Sequence, residues 1–153
     1  MKRFLTFAVL ALALISTQAE SRSKRIHVTA VIVEQTFTGV IANPAVGDRL
    51  ISIAELFDKH DEKEQVGTGA GVCTIVSAPE PPNLDDTFLQ CLITATFDKK
   101  GQIIFGATVP FPQPGLVGHF GILGGTDDFR KAHGEAVLTV ITDKLQDAVF
   151  ELE

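Results

Sequence analysis

The chain contains neither tyrosine nor tryptophan among its 153 residues. Their absence removes the phenolic hydroxyl as a general acid and leaves 11 phenylalanines to supply flat apolar surface. Any catalysis by this chain is therefore expected to depend on shape, because holding a reactive conformer in place can by itself lower a reaction barrier.

The sequence also lacks the short motifs that mark common catalytic and metal-binding sites. It has no His-x-His, His-Glu-x-x-His or Cys-x-x-Cys motif, no Gly-x-Ser-x-Gly elbow and no phosphate loop. His27, His119 and His133 have no partner at a metal-ligand spacing, and Asp127-Asp128 is typical of a solvated turn. We expect no metal, no other cofactor, and no covalent or nucleotide chemistry.

An excess of positive charge is missing as well. The formal net charge is -6, and loss of the first 19 residues would also remove Lys2 and Arg3. The basic cluster at residues 22–25 is short and is expected to be a solvated lead-in. Nucleic acid is therefore not expected as a partner.

Only one long apolar run is present, from Phe4 to Ile15, directly after Lys2 and Arg3. Thr17-Gln18-Ala19 places small residues at the two positions that a signal peptidase inspects. The alternative is a membrane anchor, but about 12 apolar residues fall short of the roughly 20 needed to span a bilayer. We predict that residues 1–19 are a secretory signal peptide and that residues 20–153 form one domain, secreted or periplasmic, with no stable membrane anchor after cleavage.

No later window shows a sustained helical repeat, whereas runs rich in Val, Ile, Thr and Phe recur between turn-forming residues. Strands are predicted at 24–37, 49–58, 65–77, 88–97, 102–109, 116–123, 134–142 and 147–153. Short turns such as Asp98-Lys99-Lys100-Gly101 join neighbours as hairpins. The sequence thus predicts an all-β fold, an eight-stranded antiparallel up-and-down barrel of lipocalin size, because closure removes the exposed edges of a sandwich.

The two cysteines lie in consecutive predicted strands. Cys73 and Cys91 are equidistant from the middle of the proline-rich loop between those strands, so antiparallel pairing sets them opposite each other. In an oxidising compartment they would form a disulfide that contributes on the order of 3 kcal/mol. The alternative is a pair of buried free thiols that pack as small apolar side chains.

Four segments carry a family resemblance: "GD" at 47–48, "VGTGAGVC" at 66–73, "FLQCLITATFDKKGQIIFGA" at 88–107 and "GILGGTDDFRKAHGEAVL" at 121–138. In this order they resemble the allene oxide cyclase-like barrels, a superfamily that includes the plant dirigent proteins. The resemblance implies an eight-stranded barrel with a mostly apolar cavity, commonly assembled as a trimer. Gly124, Gly125 and Gly134 are expected to shape the turn after one strand, with Phe129 as its plug.

The same resemblance argues against the activity of the plant cyclases. Their cavity carries a glutamate and an asparagine on the first strand, an asparagine on the second and a cysteine on the third. Matching the strands places Val31, Val33 and Ala54 at the three polar positions and leaves only Cys73. A shift of one or two residues on the first strand would instead bring Glu34 or Gln35 into the site.

If Val31, Val33 and Cys73 face inward, alternation places further residues of the same strands in a cavity with few polar groups. That set predicts a site for a small hydrophobic molecule, although a packed interior has a similar sequence. We assign no catalytic residue. The predicted ligand-binding residues are His27, Thr29, Val31, Val33, Cys73, Ile75, Ile93 and Phe97, with Gln35 and Ala95 on the same faces.

The sequence therefore predicts an exported barrel that binds a small hydrophobic molecule and directs its cyclisation or isomerisation without a cofactor. The alternative is a non-enzymatic carrier or a structural interaction module. Leu92, Thr94 and Ile104 are expected on the outer wall, where apolar side chains suggest a subunit interface and, by the resemblance, a homotrimer.

Overall fold

The structure, a computed structural model, describes residues 23–153 as a closed barrel of eight antiparallel strands in sequential order. Each strand pairs with the next, and the last pairs with the first. The predicted fold class is confirmed. The strands are β1 (Lys24–Phe37), β2 (Arg49–Asp58), β3 (Gln65–Ser77), β4 (Phe88–Phe97), β5 (Gly101–Pro110), β6 (Val117–Gly125), β7 (Gly134–Val140) and β8 (Leu145–Leu152).

The segment predicted to be a signal peptide, residues 1–19, lies outside the described residues. Within residues 23–153, no helix is long and apolar enough to cross a membrane.

One end of the barrel is closed by phenylalanines. A single 3-10 turn (Asp127–Phe129) follows β6 and buries Phe129, as the sequence predicts. The Phe129 ring packs on Phe97, and Phe150 makes edge contacts with both Phe97 and Phe105. This cluster fills the barrel at the end where β1 begins and β8 ends.

Glycines permit the sharp turn beside this cluster. Gly124 has φ +149° and Gly134 has φ +124°, values that side chains other than glycine rarely adopt. A Cβ on Gly134 would also overlap the carbonyl of Glu151 in the paired strand. The glycines at 124 and 134 therefore serve the turn and the close approach of β7 to β8.

Small residues occupy the middle of the barrel. The small inward residues at this level are Ala30, Ala54, Gly69, Gly71, Ala95 and Ala148. An eight-stranded barrel is just wide enough for ordinary side chains to fill it, so alanine and glycine at this level leave space. The interior is therefore packed at the phenylalanine end and hollow toward the other.

The outer wall formed by β3, β4 and β5 carries no Asp, Glu, Lys or Arg. Val72, Leu92 and Gly106 are register neighbours across it, and the Leu92 residue is 55% exposed. The predicted outward orientation of Leu92 is confirmed. The chain thus has a charge-free, partly apolar face beside an otherwise acidic surface.

Candidate functional site

A cavity of about 250 Å³ lies in the barrel at the end opposite the phenylalanine cluster. This end carries the segments that connect β1 to β2, β5 to β6 and β7 to β8, and residues from all three contribute to the cavity wall. Most of the wall is apolar. The apolar lining includes Ile41, Leu50, Cys73, Cys91, Ile93, Val109, Phe111, Leu116, Phe120, Leu138 and Val140.

Few polar side chains line this cavity. Gln35 on β1 and Ser52 on β2 are register neighbours, and Gln146 begins the inward face of β8. Asp143, in the segment between β7 and β8, is the one acidic or basic residue of the lining. Thr142, next to Asp143, also lines the cavity. These four uncharged groups can donate or accept hydrogen bonds, so the cavity suits an apolar molecule that carries a carbonyl or hydroxyl group.

A smaller cavity of about 60 Å³ lies deeper, among the small residues of the barrel middle. Ser52, Ile93, Leu138 and Gln146 line both cavities. These four residues therefore lie where the larger cavity, the upper cavity, meets the deeper one.

The first strand faces the opposite way from the sequence prediction. Val28, Ala30 and Ile32 are the buried residues of β1, whereas Val33 is 56% exposed. The inward orientation predicted for His27, Thr29, Val31 and Val33 is wrong. The sequence prediction aligned β1 with the first strand of the family and overlooked the alternation of apolar and polar residues within β1 itself. In that alternation, the continuous apolar face is formed by Ile26, Val28, Ala30 and Ile32.

A β-bulge changes the facing of β1 halfway along. The register with β2 shifts between Ile32 and Glu34, so Gln35 pairs with Ser52 and lines the cavity. Glu34 pairs with Ile53, which is exposed on the outer face. Of the two residues that a shifted alignment would bring into the site, the structure therefore brings in Gln35 alone.

The remaining predicted site residues all point into the barrel, but they do not all reach the cavity. Cys73 and Ile93 line it. Ile75 and Phe97 are buried in the hydrophobic core and do not contribute to the lining. Ala95 contributes to the deeper cavity.

The predicted disulfide is confirmed. Cys73 and Cys91 are direct register partners on β3 and β4, and their sulfurs are bonded. Both residues line the upper cavity. The bond thus joins two strands of the cavity wall at the level of the site.

His27 and Thr29 face the outside of the barrel. No partner for His27 could be identified from the sequence, but the structure shows one. The Nε2 atom of His27 is 2.8 Å from Oδ2 of Asp147 on β8, and Nζ of Lys59 is 3.1 Å from Oδ1 of the same carboxylate. The pairing of β8 with β1 produces this contact across 120 residues, so no local spacing reveals it. Beside it lies a second cavity of about 250 Å³, on the outer side of the wall.

The Asp147 carboxyl has a lowered pKa. Partial burial raises the pKa of Asp147, but the hydrogen bonds from the His27 ring and the Lys59 ammonium, together with their positive charge, outweigh the effect of burial. His27 reaches Asp147 from β1, and Lys59 reaches it from the segment after β2. In the second cavity, the outer cavity, Glu62 is the other acidic residue of the lining.

Replacing Asp147 by asparagine should lower the free energy of unfolding by about 1 kcal/mol near pH 6. Because the folded-state pKa is depressed, the wild-type contribution is present above the unfolded value near 4 and is lost as pH falls through the lower folded value. Urea unfolding between pH 6 and pH 2.5 should show the two proteins converging in acid. Asp58, whose pKa is lowered by the backbone N–H groups of His60 and Asp61, remains in both proteins. Parallel curves for the two proteins would contradict this account.

Among residues 23–153, no group of three or more His, Cys, Asp or Glu side chains is arranged to hold a metal ion.

No protein-family model matches the chain, and no curated protein matches it in sequence. Solved structures do match its fold. A pyocyanin demethylase is 21% identical with a TM-score of 0.63, and the match covers 84% of this chain and 99% of the other. The exo-specific intermolecular Diels-Alderase AbnU is 18% identical with a TM-score of 0.64, covering 84% and 98%. A pterocarpan synthase dirigent protein is 17% identical with a TM-score of 0.60, covering 86% and 88%.

At these identities the likeness establishes a shared barrel fold. The predicted resemblance to dirigent barrels is confirmed at the level of the fold.

Proposed function

We propose that this chain binds a small apolar molecule in the barrel cavity and directs its cyclisation or isomerisation without a cofactor. The observation that carries the proposal is the open cavity of about 250 Å³, walled by apolar side chains and furnished with only a few polar groups. The structurally similar proteins include an exo-specific intermolecular Diels-Alderase and a pterocarpan synthase dirigent protein. The shared barrel fold supports the proposal.

The cavity would act by positioning. Apolar walls favour a folded, compact conformer of a flexible substrate and keep water away from it. The amides of Gln35 and Gln146 and the hydroxyl of Ser52 would bind a carbonyl or hydroxyl of the substrate and fix its orientation. Holding reacting atoms in an aligned geometry can supply several kcal/mol of barrier reduction, without any group that gains or loses a proton.

The fatty-acid epoxide chemistry of the plant cyclases is not part of this proposal. Of the positions matched to their polar residues, Ala54 lines the deeper cavity, and Val31 and Val33 face outward. Gln35 enters the cavity through the bulge, but an amide cannot replace a carboxylate as a base.

A carrier without catalysis is the second candidate. The observation that favours it is the scarcity of titratable groups, since Asp143 alone among the cavity residues is acidic or basic. A carrier and a positioning catalyst would bind the same class of molecule, and turnover distinguishes them.

Native mass spectrometry of protein purified from its source tests the binding proposal. We expect an adduct of a small apolar molecule that is released on denaturation. Incubation of the protein with an acyclic precursor of the released molecule then separates the two functions, because a cyclase converts the precursor whereas a carrier leaves it unchanged. An empty protein that also fails to retain a panel of apolar molecules would overturn both.

We place the mature protein outside the cytoplasm, after cleavage following Ala19. The charged and apolar pattern of residues 2–19 supports export, and the Cys73–Cys91 disulfide is typical of an oxidising compartment.

The charge-free wall of β3 to β5 is proposed as the contact surface of a homotrimer. A second copy suits this face because the chain is acidic overall, so charged surfaces of two copies repel while the neutral wall does not. Leu92 stands at its centre, and Gly106 beside it allows close approach.

Replacing Leu92 by lysine should convert a trimer into monomers, because it buries a charge in the contact. Size-exclusion chromatography with light scattering should show the mass falling to about one third. Val40 is 64% exposed in the segment between β1 and β2, so Val40→Lys serves as the control and should leave the mass unchanged. A monomeric wild-type protein would rule out this assembly.

A further inference from the structure

Asp143 places a negative charge at the opening of the upper cavity. It is exposed in the segment between β7 and β8, and it lines the upper cavity but not the deeper one. Within residues 23–153, the lining of the upper cavity contains no Lys, Arg or His, and Asp143 forms no ion pair. Its charge is therefore available to a molecule that enters the cavity.

The connecting segments at this end of the barrel are acidic as a group. They are residues 38–48, 78–87, 111–116 and 141–144. Together they contain five acidic residues and one basic residue, Lys144, which does not contribute to the lining. The acidic residues are Asp48, Glu80, Asp85, Asp86 and Asp143. In the part of the chain that the structure describes, none of the five forms an ion pair.

The closed end of the barrel has no such excess of negative charge. Its connecting segments are residues 59–64, 98–100 and 126–133, and together they contain six acidic residues and six Lys or Arg residues. The excess acidic charge of the connecting segments therefore lies at the end where the upper cavity opens. A cleft that has charge of one sign and apolar walls focuses the electric field and raises the local concentration of molecules of opposite charge.

This distribution of charge favours one kind of ligand over another. A carboxylate at the opening would be repelled by Asp143 and would find no basic side chain in the described lining. An ammonium group would be attracted by Asp143. Because Asp143 is exposed, that ammonium group keeps much of its hydration and avoids the cost of burying a charge.

We propose that Asp143 is a specificity-determining residue, which makes the upper cavity selective for apolar molecules with a positively charged group, such as hydrophobic amines, over apolar carboxylates. The apolar part of the ligand packs on Ile93, Phe120 and Leu138, and the charged group lies at the opening beside Asp143. This inference rests on the proposed function, because it names the class of molecule that the same cavity binds.

Three naphthalene derivatives form a matched set of probes: 1-naphthylmethylamine, 1-naphthalenemethanol and 1-naphthoic acid. They share one ring system and differ at pH 7 in charge, since the amine is protonated and the acid is ionised. Isothermal titration calorimetry measures the affinity of each. The amine should bind about fivefold more tightly than the alcohol, and the acid about fivefold more weakly than the alcohol.

Asp143→Asn tests the role of the side chain. It should lower the ratio of amine affinity to acid affinity about tenfold and leave the affinity for the alcohol unchanged. The variant should fold, because the turn is held by Oγ1 of Thr142, which accepts from the backbone N–H groups of Lys144 and Leu145. Asp98→Asn is the control, since it removes the same charge from an exposed residue at the closed end and should leave the ratio unchanged.

The alcohol separates failure of this inference from failure of the proposed function. If the alcohol does not bind, the cavity is not a site for apolar molecules, and both are wrong. If the alcohol binds but the amine and the acid bind equally well, the selectivity is wrong and the proposed function stands. An equal fall of the ratio in Asp143→Asn and Asp98→Asn would assign the selectivity to the net charge of the protein and overturn the role of Asp143.

Discussion

Replacing Ser52 by phenylalanine should reduce the affinity of the barrel for an apolar molecule by about a hundredfold or more. Ser52 lines both the upper and the deeper cavity, so a phenyl ring at this position occupies the space that a ligand needs. Titration with the neutral fluorescent probe N-phenyl-1-naphthylamine measures the loss. The ring fills existing space, so the fold should survive with a loss of about 1 to 3 kcal/mol of stability.

The neighbouring residue provides the control for this experiment. Ile53 is 41% exposed on the outer face of the same strand, so Ile53→Phe adds bulk without entering the barrel. It should bind the probe as the wild type does. If Ser52→Phe folds and keeps the wild-type affinity, the interior is not the binding site.

The largest stability effect is expected from Phe150→Ala, which should lower the free energy of unfolding by about 3 to 5 kcal/mol. Phe150 is 1% exposed, and its ring contacts those of Phe97 and Phe105 at centroid distances of 5.8 and 5.3 Å. Its removal opens a cavity inside the cluster that closes the barrel, and the surrounding rings cannot collapse into it because strands fix their positions. Urea denaturation followed by circular dichroism measures the change.

Phe88 is the matched control on another strand. It begins β4 and is 41% exposed, so Phe88→Ala should cost less than about 1 kcal/mol. A similar loss for both variants would mean that the phenylalanine cluster does not dominate the stability of the barrel.

The orientation of β1 shows how much of the candidate site could be predicted from the sequence. Alternation in that strand contains the correct answer, since Ile26, Val28, Ala30 and Ile32 are all apolar while Arg25, His27 and Thr29 are polar. Matching to a family pattern with different polar positions overrode that local signal. The same family match placed Cys73 correctly, and the antiparallel pairing of β3 with β4 puts Ile93 on the same face as Cys73.

Gln35 and Gln146 are functional candidates that sequence reasoning either left open or missed. Gln35 lines the cavity only because the bulge after Ile32 shifts the alternation by one residue, and nothing local in the sequence marks a bulge at that position. Gln146 precedes the strand that the sequence predicts at 147–153, but β8 begins at Leu145, so this residue is the first inward one of its strand. A displacement of two residues at a strand end was enough to hide it.

The sequence by itself determined the number of strands, their order, the hairpin connections and the pairing of Cys73 with Cys91. These properties follow from alternation, turn residues and loop symmetry, which act over a few residues or between neighbours in the chain. Only the tertiary structure decided that the barrel is hollow at one end, that Gln35 faces the cavity and that Asp147 holds His27 and Lys59. Each of these depends on how eight strands close on one another, because the space inside and the contacts across the seam are set by all the strands together.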